Sequence, residues 1–197
     1  MRYDFFTKLL HWGIAASIVV QMFSSLLMEE PEHDEVRGAI EASMFEVHEW
    51  VGLATFAFLL LRWLWGLSGH VTGGWQHLFP WISAAGRKEL MEDIRREVPL
   101  WFKGDIPDPS EGDAVAKTFH GFGIAVGTIM AATGLIMFLG IEEGKELTGI
   151  LHDIEEVHEV FSNLMWLFLA GHFFMAVFHQ IRGHDVLGKM FLLREPK

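Results

Sequence analysis

Between Leu9 and Met28 the chain runs for 20 residues without an Asp, Glu, Lys or Arg. Thr118–Ile141 is a second such run and Val160–Ile181 a third. About 20 helical residues cross the ~30 Å hydrocarbon core of a bilayer, so each run predicts a transmembrane helix. A fourth segment, Ser43–Leu67, is broken by Glu46, Glu49 and Arg62. Its Trp50–Leu61 centre is apolar, and the charges sit near its ends, where headgroups can receive them. The first run has a basic start, like a signal peptide. It leads into Glu29-Glu30-Pro31-Glu32 rather than a small-residue cleavage pattern, so it reads as a retained helix. The predicted fold is all-α: a four-helix transmembrane bundle forming one domain over 1–197, with spans at about 9–28, 43–67, 118–141 and 158–181.

The long loop, about 68–116, has a pattern of its own. Leu90, Ile94 and Val98 recur at helical spacing among Arg87, Lys88, Arg95 and Arg96. Trp75, Phe79 and Trp81 precede them, and Trp101 and Phe102 come after. This predicts a short amphipathic helix lying at the membrane interface with aromatic anchors. Gly104–Ser110 reads as a turn-rich connector. Four spans place both termini and this loop on one side, together with 13 of the 15 basic residues; the other side has only Arg37 and Lys145. The excess marks the cytoplasmic face. The expected setting is a bacterial inner membrane, with both termini inside and the acid-rich short loops facing the periplasm.

Composition narrows the chemistry. Hydrophobic residues are 51% of the chain, and mean hydropathy is +0.27 although 21% of residues are charged. The absence of cysteine excludes disulfides, thiolate-held zinc, iron–sulfur clusters and thioether-attached haem. A net charge of −11 speaks against nucleic acid as a partner. Eleven histidines then need explaining.

An ionisable residue inside a span is a functional hypothesis by default. His11 lies near the cytoplasmic start of the first span and His48 near the periplasmic start of the second. The fourth span carries His158 at its periplasmic start and His172 fourteen residues on. Fourteen residues rise about 21 Å and return to within ~40° of the same face, so one helix can offer a ligand to each of two stacked haems. Depth pairs His48 with His158 and His11 with His172. Two non-covalent, bis-histidine haem b groups are the expected cofactors, with no open coordination site, which favours electron transfer over oxygen binding. Any one of these histidines alone is equally well a headgroup-level or hydrogen-bonded core residue; four at two matched depths are harder to dismiss.

Arg62 lies fourteen residues after His48, at the cytoplasmic level, and is a candidate for haem propionates or a snorkelling cation. His120 has no evident partner at its depth and is a candidate contact for a propionate or a quinone carbonyl. His179 competes with His172 for the cytoplasmic haem and is otherwise a quinone-site candidate. His33, His70, His77, His152 and His184 read as surface or interfacial residues. Gly123 and Gly127 form a small-x-x-x-small pair suited to close helix packing.

Leu10-His11-Trp12, His48 with Gly52 and Arg62, and His158-Glu159-x-x-x-Asn163-Leu164 with His172 together resemble the bacterial cytochrome b561 family. That family merges with the b-type cytochrome subunits of nickel–iron hydrogenases and formate dehydrogenases. The resemblance covers the four spans and is weaker in the long loop. It implies that the same four histidines are the axial ligands of two haem b groups. It also implies a quinone-linked electron carrier, served by a periplasmic dehydrogenase, hydrogenase or c-type cytochrome. One branch of the family implies an alternative, a self-contained superoxide:quinone oxidoreductase. A non-redox transporter of metal or protons, using the histidines differently, is the third reading.

Overall fold

The computed structural model describes residues 4–28, 38–68, 78–105, 107–108, 113–140 and 149–190. The acid-rich segments 29–37 and 141–148, the topological markers Arg2, Arg37, Lys145, Arg194 and Lys197, and His33, His70, His77 and Trp75 lie outside the described residues. Among the described residues there is no strand, and the order of helices is α1 Phe5–Ser25, α2 Ala39–Leu67, a 3₁₀ turn Pro80–Ile82, α3 Ala84–Trp101, α4 Ala114–Gly140, α5 Ile150–Ile181 and α6 Val186–Met190. Helices α1, α2, α4 and α5 are long and apolar enough to cross a membrane. Large apolar side chains such as Trp50, Leu167, Phe173 and Ile181 stand 67–79% exposed on them. In water that surface would be strongly unfavourable; against acyl chains it is the solvated face.

The chain forms two compact units. One comprises Met1–Lys8, Arg62–Ala125 and Leu167–Lys197, the other Leu9–Leu61 and Val126–Trp166.

In the first unit, Asp4 starts α1. Its carboxylate accepts from the Thr7 N–H at 2.8 Å and the Thr7 hydroxyl at 2.6 Å, a side-chain cap that satisfies an otherwise orphaned donor. Partial burial pushes the Asp4 carboxyl up, but the Thr7 hydrogen bonds outweigh it and hold the group below its ordinary value. Ser83 caps α3 by accepting from Gly86 N–H at 2.9 Å. Gly86 sits so close to the 3₁₀ turn that a Cβ there would lie 2.2 Å from the Pro80 carbonyl oxygen.

Helix α3 fulfils the helical expectation for the loop and extends it at both ends. Leu90, Ile94 and Val98 are half-buried, as their spacing implies, but the most buried residues of the helix are Gly86, Asp93 and Glu97. The inward face is therefore not a plain apolar stripe. Asp93 accepts the Ala114 N–H at 2.8 Å, while Asp113 accepts from Val115 N–H at 2.8 Å and Ala116 N–H at 3.1 Å. Two carboxylates thus meet the positive end of α4, where the helix dipole favours them. Arg96 joins the cluster, with Nη2 at 2.6 Å from Asp93 and 2.9 Å from Glu97. Burial pushes the Glu97 carboxyl up; the Arg96 hydrogen bond opposes this without cancelling it.

In the second unit, Leu10, Met22, Leu59, Val126 and Met165 are almost fully buried. A Cβ at Gly127 would stand 3.5–3.9 Å from Met165, Leu59 and Ile18, ordinary contact that an alanine could make. Gly13 admits the Phe58 ring, which a Cβ would meet at 2.8 Å.

Candidate haem-binding histidines

The second unit brings His48 of α2 and His158 of α5 together. Their ring centroids are 6.4 Å apart and the rings are inclined at 70°. Two imidazoles bonded to opposite faces of one metal ion at roughly 2 Å, each centroid about 1.1 Å behind its nitrogen, stand about 6 Å apart. The spacing of this pair fits an iron between them, and both rings are half-buried.

Each ring is held from a neighbouring helix. Ser24 Oγ of α1 lies 3.1 Å from His48 Nδ1, and Thr133 Oγ1 of α4 lies 2.8 Å from His158 Nδ1. Gln21, one turn before Ser24, donates through Nε2 to the His48 carbonyl at 2.5 Å. Gly134 lies beside His158, where a Cβ would stand 3.4 Å from its Cε1. Sequence reasoning missed Ser24, Gln21 and Thr133. A hydroxyl on an apolar helix looks like packing until its depth is matched to a histidine on another helix.

His11 also belongs to the second unit, half-buried with its ring edge-on to Trp12 at 5.8 Å.

His172 belongs to the first unit. Phe168 stacks against it at 5.4 Å and 16°, and Phe119 at 6.4 Å and 17°. The expectation that His120 has no partner at its depth is corrected here: its ring meets His172 edge-on at 5.2 Å and 78°. Rings in that direct contact are closer than a metal-bridged pair, so this conformation leaves no room for an iron shared by the two. His179 is engaged with His184, Nδ1 to Nδ1 at 3.0 Å, one ring nitrogen donating to the other. His152 is exposed beside Glu155 and Glu156, as a surface histidine should be. Arg62 is half-buried on α2, and Asp4, the cap of α1, acts on it electrostatically.

Four membrane-crossing helices carrying an imidazole pair at metal-bridging distance, with no thiol in the chain, define a multi-pass membrane protein whose donor set suits non-covalent haem. The family model for prokaryotic cytochrome b561 matches residues 2–192, and the chain belongs to that family. It is a bacterial membrane cytochrome of the b type: its cofactor is haem b and its work is electron transfer. No curated protein and no solved structure matches it.

Proposed function

We propose that this cytochrome carries electrons through two bis-histidine haem b groups between a periplasmic redox partner and the quinone pool. The observation that carries the reading is the His48–His158 pair at 6.4 Å. His11 and His172 serve the second haem; their matched depth in the sequence and the family resemblance support this. Arg62, one of the few cations within a span, is the group offered to a propionate. When bound, haem supplies a one-electron couple. The chain supplies the imidazoles, their orientation and the exclusion of water.

The quinone is placed on the side of the long loop. An apolar cavity of about 530 Å³ opens there, lined by Trp81, Val115, Thr118, Phe119 and Phe122. Thr118 Oγ1 is buried without a hydrogen-bond partner among the described residues, so it offers its proton to a carbonyl oxygen. His120 stands two residues later, with His179 the further candidate on that side. Thirteen basic residues put this face, the termini and α3 in or at the cytoplasm, with α3 as the interfacial helix.

Acidified acetone should extract all the haem, and pyridine haemochrome analysis should give a b-type spectrum near two equivalents per chain. His48→Ala and His158→Ala should each lose the same haem, and His11→Ala and His172→Ala the other. A single equivalent, or loss of one redox component in both His11→Ala and His48→Ala, refutes the arrangement.

A further inference from the structure

The hydroxyls beside His48 and His158 have one proton each, and each has a carbonyl of its own helix within reach to receive it. Ser24 Oγ donates to the Gln21 carbonyl at 3.0 Å. Thr133 Oγ1 lies 2.9 Å from the Ile129 carbonyl and 3.0 Å from that of Met130, back-bonded to its own helix. A hydroxyl whose proton is turned to a carbonyl presents only lone pairs to any further neighbour. With the hydroxyl protons so placed, the ring nitrogen at 3.1 Å from Ser24 and the one at 2.8 Å from Thr133 are the donors. With the proton on Nδ1, the lone pair of each neutral imidazole is on Nε2, the nitrogen left to face a metal.

We infer that Ser24 and Thr133 are positioning residues that fix the Nδ1–H tautomer of His48 and His158. They hold each Nε2 as the iron ligand and set that haem's potential. This rests on the ligand reading of the two histidines. The arrangement is matched on both sides: α1 supplies the acceptor for the α2 ring, and α4 supplies it for the α5 ring. Gln21 adds a second hold on the His48 backbone, one turn from Ser24 on the same face of α1. An Nδ1–H that donates to an oxygen makes Nε2 more electron-rich and stabilises the ferric state. Without the acceptor, the N–H is left in an apolar surround and the ligand weakens.

The test uses the purified holoprotein, with both haems titrated potentiometrically. Thr133→Val keeps the shape of the side chain and removes the acceptor. Its affected haem should shift toward the reduced form by about tenfold, or ~59 mV for one electron. Retention of that haem against competing apo-globin should weaken by roughly 10–100-fold. Ser24→Ala should act on the same haem with the same sign, and Thr133→Ser should restore the parent values. The second haem is the internal control for an intact bundle. Unchanged potential and retention in both Thr133→Val and Ser24→Ala overturn the proposal. So does an equal shift of both haems, which a general loosening of the bundle produces. His48→Ala and His158→Ala are measured alongside: if they keep both haems, the ligand assignment itself fails and takes the proposal with it.

Discussion

Replacing Asp93 with alanine should loosen the junction between α3 and α4. The Asp93 carboxylate accepts the N–H of Ala114, a residue with 0% exposure, so water cannot take over the bond. Asp113 already serves the next two N–H groups through its Oδ1. An unsatisfied buried donor costs about 1–3 kcal/mol. One smaller effect opposes it and another adds to it. The Asp93, Glu97 and Asp113 carboxylates lie within 4.8 Å of one another, so losing one relieves repulsion. The Arg96 pair that disappears with Asp93 involves a guanidinium 60% exposed, and such pairs contribute only about 0–1 kcal/mol. The orphaned N–H should dominate. Local opening should become roughly 5–150-fold more frequent. Hydrogen exchange followed by mass spectrometry, on protein in nanodiscs, should show this at 113–118 and along α3, while α5 is unchanged. Asp93→Asn retains an acceptor oxygen and should fall between parent and alanine variant. Unaltered exchange in Asp93→Ala, or a larger effect for asparagine than for alanine, would refute the reasoning.

Glu97 should make the same junction pH-sensitive. Its folded carboxyl is raised by burial, so its stabilising contribution is full below the ordinary carboxylate value and is lost as pH rises through the raised one. Protection of α3 should therefore increase on acidification from neutrality, and Glu97→Gln should flatten the dependence; an unchanged slope in that variant counts against it. For topology, a reporter fused after Lys197 should be active only in the cytoplasm. A cysteine at Glu32 or Lys145 should react with an impermeant reagent from outside and one at Lys103 should not; labelling at Lys103 would invert the assignment.

The spans were legible because the bilayer imposes a single demand, a long run without charge, that composition satisfies or fails. Their ends were less so. Helix α5 begins at Ile150, ten residues before the charge-free run, since Asp153, Glu155, Glu156 and Glu159 are compatible with helix though not with hydrocarbon. In α3 the apolar spacing of Leu90, Ile94 and Val98 pointed to the helix, but nothing in that spacing marked Asp93 and Glu97 as its most buried side chains. Spacing alone cannot tell a carboxylate facing water from one facing the N-terminus of another helix. The histidines stood out because the residue type is rare in a membrane span. The hydroxyls that orient them did not, because serine and threonine are common there and their meaning depends on which helix packs alongside. His120 was misjudged for a related reason: depth can be counted along one chain segment, but the rotation of one helix against another cannot.

Gly123 of α4 has a reach beyond packing. The Phe168 ring occupies the space its side chain would fill, with ring carbons 2.2–2.6 Å from where a Cβ would stand. That same ring lies flat against His172 at 5.4 Å. The smallest residue on one helix therefore limits where an imidazole on another can point. For a lineage drifting under selection, position 123 is a remote dial: a single added methyl group would displace the phenyl ring and, with it, the face against which the His172 imidazole rests. Designers wishing to retune this cytochrome could begin there, at a site a search confined to ligating residues would pass over.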